Sequence, residues 1–365
     1  MESAVKIRNS INHWIYSNIV RNVAFTFDAE DTHRFFIKFG KVLGKSTITK
    51  KLTHDLYYYE NPVLEQNILG IKFRNPVGLS AGFDKNAEII RICEDIGLGF
   101  SEVGSVTKLE CAGNEGKRIE RLKSKKSLWV NLGLNNNGAD EIAERLKGRR
   151  YKIPFGISIA KTNCKETADD LVGRDDYIYS LKKFNEKSVG DFYVLNISCP
   201  NAYGGQPFSR PKAYESLLKE ADKLHIKKPI FVKISPDMTK NQVTKIISVS
   251  AKHKIAGFII SNLLKSSDAG KGGFSGKVSE QKSNDMLKYV YQRTKGRYIL
   301  IGVGGIFSAE DAYKKIKLGA NLVELITGMI YEGPNLISEI NQGIVEMMRR
   351  DGYNKINEAI GVDVG

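Results

Sequence analysis

Four cysteines, at positions 93, 111, 164 and 199, are all that 365 residues carry, and none stands in a Cys-x-x-Cys pair. That scatter argues against a disulfide framework and against a thiolate zinc site, and the five histidines show no ligand spacing. No metal is expected, and a reducing compartment is the simplest setting. Long apolar runs are missing as well: nothing approaches the ~18 residues of a spanning helix, and Met1 to Ser10 lacks a secretory pattern. The chain is therefore expected not to cross a membrane. Fixed-period repeats and low-complexity tracts are also absent, which argues against a solenoid.

Positive charge is what the chain has in excess, a net +15. The basic residues run from Lys6 to Lys355, interleaved with acids, and no recognition-helix, RNP or KH pattern accompanies them, so nucleic acid is not an expected partner. A solvated surface, or one drawn to anionic lipid, fits better. With 41% hydrophobic content the chain can bury a barrel-sized core and carry a small appendage.

Residues 1–60 differ from the rest. Ile11, Trp14, Ile15 and Ile19 recur at helical spacing, and so do Phe35, Phe36, Phe39, Val42 and Leu43, opposite Arg34, Lys38, Lys41 and Lys45. Two short amphipathic helices are predicted, with Asp28 to Asp31 at the N-terminus of the second and Gly40 and Gly44 loosening its far end. An aromatic face with a basic flank suits a helix lying on a bilayer, but a helix packed on a neighbouring domain has the same pattern and is the default from periodicity alone.

From residue 67 onward short apolar runs alternate with helical patterns. The runs are Val77 to Ala81, Phe100 to Gly104, Phe155 to Ala160, Phe192 to Ile197, Ile230 to Ile234, Gly257 to Ser261, Tyr298 to Val303 and Leu322 to Ile326. The helical segments include Glu88 to Ile96, Tyr177 to Asn185, Gln242 to His253 and Ala309 to Leu318. Eight strand-helix alternations predict an α/β fold, a (β/α)8 TIM barrel over 61–365, with its active site at the C-terminal ends of the strands.

Every one of the first six tips is polar. The first ends in Ser80 to Asn86, the second in Ser105, and the third carries Ser158; the fourth has Asn196, Cys199 and Asn201, the fifth Lys233, the sixth Ser261 and Asn262. Pro200 cannot continue a central ladder, so the strand ends where a thiol stands among amide side chains, a set able to take a proton and fix a small polar ligand. A buried structural cysteine with two turn-forming asparagines has the same appearance. Lys85 and Lys233 are expected to face a ligand, because an unpaired ammonium in a barrel mouth is costly. The last two tips, Gly302 to Ile306 and Ile326 to Gly328, together with Gly272 to Gly276, offer glycine backbone to a phosphate. Their spacing is not the Rossmann one, and a phosphate-bearing cofactor such as FMN fits.

Ala81-Gly82-Phe83-Asp84-Lys85-Asn86, Asn196 to Asn201, Val232 to Asp237 and Ile301 to Ile306 together resemble the dihydroorotate dehydrogenases, FMN enzymes of pyrimidine (UMP) synthesis. Asp28 to His33 resembles the membrane-associated, quinone-using class 2 members, whose two-helix extension forms the quinone entrance. The resemblance implies a flavin site at Ala81, Gly82, Phe83, Asp84, Lys85, Ser105, Ser158, Asn196, Lys233, Ser261, Gly276, Gly304, Gly305, Ile326, Thr327 and Gly328. It places substrate at Lys85, Asn131, Leu132, Gly133, Leu134, Asn135, Asn196, Asn201, Asn262 and Leu263, quinone at Arg121, and the catalytic base at Cys199. Cys199 would take the C5 proton of dihydroorotate and FMN the C6 hydride. A peripheral position on the cytoplasmic face of a bacterial-type membrane follows, with a soluble cytoplasmic protein as the alternative.

The chain also departs from class 2. Cysteine at the base position is typical of class 1, where class 2 has serine; Ile326 replaces a usual Tyr and Leu263 a usual Thr, and Val130 stands where a substrate-loop Asn is usual. The alternatives left are the same oxidation with fumarate or NAD as acceptor, and a non-catalytic flavin-binding protein. A thiol has a lower intrinsic pKa than a hydroxyl, so activity is expected to persist to lower pH than with serine.

Overall fold

The computed structural model describes residues 2–265 and 271–364. All eight predicted strands form, at β1 (Val77–Leu79), β2 (Phe100–Val106), β3 (Phe155–Ile159), β4 (Phe192–Asn196), β5 (Ile230–Ile234), β6 (Gly257–Ile260), β7 (Ile299–Val303) and β8 (Leu322–Leu325). Each pairs in parallel with its sequence neighbour, and β8 closes on β1 through Val323 opposite Val77 and Leu325 opposite Leu79, giving the (β/α)8 TIM barrel.

Two layers fill the barrel, because residues two apart on a strand share a face. Below lie Phe100, Phe192, Val194, Phe231, Ile259, Ile301 and Leu322. Gly78 and Gly156 make room for them: a Cβ on Gly156 would stand 2.1 Å from the Phe192 ring. A hairpin, Gln66–Ile68 with Ile71–Phe73, plugs this end, Phe73 meeting Phe100 edge-on at 5.5 Å. One residue-pair higher, the same strands turn polar with Glu102, Ser158, Asn196, Lys233, Ser261 and Glu324, all buried. The floor of the site is thus set by strand alternation.

The N-terminal region holds three helices where two were predicted. The first, α1 (Glu2–Ile15), runs on through a π turn at Tyr16–Val20 and a last turn at Arg21–Ala24; α2 spans Ala29–Leu43 and α3 spans Thr47–Tyr57. Asp28 caps α2, its carboxylate accepting from Glu30 N and Asp31 N at 2.8 and 3.1 Å. Gly40 does not loosen α2, contrary to expectation. It is buried, and a Cβ there would lie 3.2 Å from Ile89, so it lets the helix approach the barrel closely. The third helix escaped the periodicity reading, although Ile48, Leu52 and Leu56 recur at helical spacing, because Thr47, Thr49 and Thr53, weak helix formers, interleave them. Side chains tie these helices to the barrel: Tyr16 Oη donates to Ile330 O at 2.8 Å, Arg21 Nη1 to Tyr331 O at 2.9 Å, and Arg118 Nε to Glu30 at 2.8 Å.

Two further features were not predicted. Loops above the barrel form a four-stranded antiparallel sheet from Ile119–Leu122, Ser127–Val130, Leu264–Lys265 and Gly273–Gly276, strands too short for a periodic signal. The helix expected over Glu88 to Ile96 shrinks to Ile90–Cys93, and that over Tyr177 to Asn185 lengthens to α4 (Asp170–Glu186).

Candidate active site

Lys233 rises from β5 into the polar layer, where its ammonium donates to Glu102 Oε2 at 2.8 Å and Ser80 Oγ at 3.0 Å, with Glu324 at 3.7 Å. Burial works to strip its proton, and Glu102 and Glu324 overcome that, raising it above the usual lysine value. The premise that Lys233 needs a ligand as counter-ion is therefore corrected: the protein supplies the anions itself. Lys233 still lines the cavity above it. Burial, with Glu102 adding, pushes the Glu324 carboxyl well above the usual range. Neither glutamate was singled out from the sequence, although a carboxylate in the middle of a buried apolar run was the available signal.

Above β7 and β8, a pocket of about 70 Å³ is walled by Gly276, Gly304, Gly305, Ile326, Thr327 and Gly328. Gly276, Gly304 and Gly305 have φ of 109°, 108° and 76°, and a Cβ on Gly305 would fall 2.3 Å from that of Glu280. Backbone so exposed can offer its N–H groups to phosphate oxygens. Ser261 Oγ, on the same wall, is buried without a hydrogen-bond partner among the described residues, which suits a ligand oxygen. These residues fit a phosphate-bearing flavin.

The amide side chains gather at the mouth. Asn196 Nδ2 donates to Ser105 Oγ at 2.8 Å, Ser105 shares a hydrogen bond with Ser158 at 2.9 Å, and Asn262 Nδ2 reaches Asn196 Oδ1 at 3.2 Å. Asn201 Nδ2 donates to Val130 O at 3.1 Å, while its Oδ1 is buried and has no partner among the described residues. Ala81, Gly82, Phe83, Lys85, Leu132, Gly133, Leu134 and Leu263 also face the cavity. Four predicted residues do not. Asp84 is turned to the backbone, accepting from Glu88 N at 2.8 Å and Ile89 N at 2.9 Å; Ser158 is fully buried beneath Ser105; Asn131 Oδ1 accepts from Asn114 Nδ2 at 2.8 Å; and Asn135 is not part of the wall that Leu132, Gly133 and Leu134 form.

Cys199 lines the same cavity, on the loop after β4. Burial pushes its thiol up to about 11, against the pull of the Asn201 N–H and the Lys161 charge. The advantage of a thiol over a hydroxyl is therefore smaller than its intrinsic value suggests. Burial draws Lys85 down to about 8, Glu30 and Asp84 opposing, and its ammonium has no hydrogen-bond partner among the described residues.

From Cys199 one cavity of about 620 Å³ runs out between the barrel and the N-terminal helices. Its outer half is apolar. His33 stacks on Phe83 at 4.9 Å and is held neutral, drawn down to about 3 by burial and by Lys85. Arg121 donates to Phe27 O at 2.7 Å and lies 4.6 Å over the Phe25 ring, with its guanidinium in the wall. Phe39, Leu52 and Leu56 both line the cavity and stand exposed, so it opens through an apolar face that continues over Ile11, Trp14, Phe35 and Ile48. Among the described residues no helix is long and apolar enough to cross a membrane, and no side-chain cluster suits a metal.

A parallel barrel with a phosphate cradle at its last two strands, an amide-lined mouth and an apolar annex defines a flavin-dependent oxidoreductase of the barrel class. The sequence profile described as dihydroorotate dehydrogenase matches residues 63–348, and the chain belongs to that family. It is similar to the "Dihydroorotate dehydrogenase (quinone)" of Gloeobacter violaceus, 34% identical over 350 residues covering 94% of this chain and 98% of that one. The protein of the same description from Nostoc punctiforme is 36% identical over 373 residues, covering 95% and 97%. Among solved structures, the Eimeria tenella DHODH in complex with ferulenol superposes with a TM-score of 0.79 at 27% identity, covering 92% of this chain and 96% of that one.

Proposed function

We propose that the protein oxidises dihydroorotate to orotate with FMN and passes the electrons to a quinone. The observation that carries this is the single cavity joining the amide-lined mouth at Cys199 to an apolar annex with Arg121 in its wall. FMN, when bound, supplies the hydride acceptor for C6 of the substrate. In this reading Cys199, which lines the cavity, takes the C5 proton, Asn196, Asn201 and Asn262 match the carbonyl and N–H groups of the ring, and Lys85 meets the carboxylate. The apolar annex gives fumarate, a small dianion, little to bind to besides Arg121, whereas a quinone ring and its isoprenoid tail suit it.

The deciding experiment is anaerobic: bleach the flavin of the purified protein with dihydroorotate, then follow its reoxidation by a short-chain quinone or by fumarate. Quinone is expected to reoxidise it and fumarate is not; the reverse result sinks the acceptor assignment. In Arg121→Ala the quinone KM should rise about tenfold, the worth of one charged hydrogen bond, with flavin reduction by dihydroorotate unchanged.

Residues 1–60 act in this reading as the quinone- and membrane-facing extension of a catalytic barrel over 61–365. Exposed Trp14, Phe35 and Ile48, flanked by Lys38 and Lys45, favour a peripheral seat on an anionic leaflet, on the cytoplasmic face. Flotation with vesicles containing anionic lipid tests it: the protein should co-float, Trp14→Glu with Phe35→Glu should not, and equal flotation removes the assignment.

Lys85 makes binding of the orotate anion pH-dependent. As pH rises through about 8 the ammonium is lost, and with it the partner of the carboxylate. Orotate affinity should fall by up to about tenfold per pH unit above that point. Equilibrium titrations between pH 6.5 and 9.5 check it, and a flat profile would take Lys85 away from the carboxylate.

A further inference from the structure

Lys161 follows the tip of β3 and is 3% exposed. Its stem runs past Gly173 of α4, where a Cβ would lie 3.3 Å from the Lys161 Cδ and from the Phe208 ring. The ammonium donates to Tyr203 O at 2.6 Å and Thr167 Oγ1 at 3.4 Å, both neutral. No carboxylate of the described residues comes within ion-pair distance of it. Asp176, the nearest acid to act on it, is committed to Thr162 N at 2.9 Å, Thr162 Oγ1 at 2.6 Å and Lys108 N at 3.3 Å. The other titratable groups around the ammonium are Cys164, Cys199 and Cys111, and Tyr177 faces Cys199 while donating to Asn196 O at 2.6 Å. A buried ammonium with only neutral partners is costly unless an anion forms beside it. Lys161 and Cys199 line one small void, about 10 Å³ and close to the room a single water needs.

We propose that Lys161 is the positioning residue for Cys199: it anchors the Cys199 loop through the Tyr203 carbonyl and supplies the counter-charge for the thiolate. This rests on Cys199 as the base. The thiol first gives its proton to solvent; the thiolate then takes the C5 proton of dihydroorotate, the C5–H bond breaking as the S–H bond forms. Tyr203 follows Cys199 by four residues, so one side chain fixes both the place of the sulfur and the cost of charging it.

Two readouts on the flavin-loaded enzyme test this. One is the pH dependence of Cys199 alkylation by iodoacetamide, read on its own peptide by mass spectrometry; the other is the pH dependence of flavin bleaching by dihydroorotate. Lys161→Gln keeps a donor for the Tyr203 carbonyl and removes the charge. It should move both curves up by about one pH unit, a tenfold loss of rate at fixed pH below the midpoint, and Lys161→Arg should restore them. Curves that stay in place overturn the proposal, and so does a loss of bleaching with the alkylation curve in place, which would leave loop anchoring alone. If Lys161→Gln does not hold flavin, Lys161→Arg against wild type at matched flavin loading carries the same decision: a pH position unlike the wild type's overturns the charge role. Normal bleaching in a Cys199→Ala enzyme would instead remove the base assignment, and the alkylation curve would still report on Lys161.

Discussion

Cys199→Ala should bind flavin and orotate as the parent does and bleach with dihydroorotate about 10²–10⁴ times more slowly, the usual worth of a positioned general base. Binding survives because the groups proposed to hold the ring and the phosphate, Asn196, Asn262, Ser261 and the Gly304-Gly305 backbone, do not lean on the sulfur. The pH profile carries the sign. With the thiol at about 11 and Lys85 at about 8, kcat/KM needs a thiolate and an ammonium together. It should rise about tenfold per pH unit up to pH ~8, as thiolate accumulates, and then flatten, since each further gain in thiolate is cancelled by loss of Lys85 charge. Stopped-flow flavin reduction from pH 6 to 10 measures both. Parent-like rates in Cys199→Ala, or a profile flat below pH 8, would remove the thiol from the proton step. Cys199→Ser should be slower than the parent throughout that range.

The barrel was legible because its eight strands are buried on both faces and therefore read as predominantly apolar runs, from Val77-Gly78-Leu79 to Leu322-Val323-Glu324-Leu325. Cavity-lining residues at strand tips were legible for the same reason: Asn196, Lys233, Ser261 and the glycines beside the last two strands interrupt such runs. Side-chain direction was not. Asp84 and Asn131 stand next to cavity-lining neighbours, yet each is turned away by a local backbone or amide partner that only the folded loops bring near. Lys161 went unremarked because it lies one residue beyond a run already spent on Ser158, and its partner Tyr203 is 42 residues away. The antiparallel sheet above the mouth was invisible for another reason: strands of two to four residues have no period to detect.

Lys233→Met should cost about 3–5 kcal/mol, because it leaves Glu102 and Glu324 in the barrel interior without their cation. Against a total stability of roughly 5–15 kcal/mol, that is enough to bring the protein near unfolding at ordinary temperatures. Flavin should be lost with it, since Lys233 lines both the cradle pocket and the main cavity. Glu324→Gln should do the opposite. The folded state holds the Glu324 proton well above the pH at which an unfolded glutamate releases it. The stability linked to that raised pKa is complete below pH ~4.5 and is lost as pH rises towards the folded value, by up to about 1.4 kcal/mol per unit. A glutamine has no proton to lose. The variant should therefore match the parent near pH 4.5 and exceed it increasingly towards pH 8, with its amide still able to donate to Glu102. Urea midpoints for the parent and the two variants at pH 5, 6.5 and 8 decide the matter. A Glu324→Gln enzyme whose midpoint tracks the parent at all three would mean that Glu324 releases its proton at an ordinary pH. Lys233 would then be balancing two full charges, and the loss in Lys233→Met should exceed the range given.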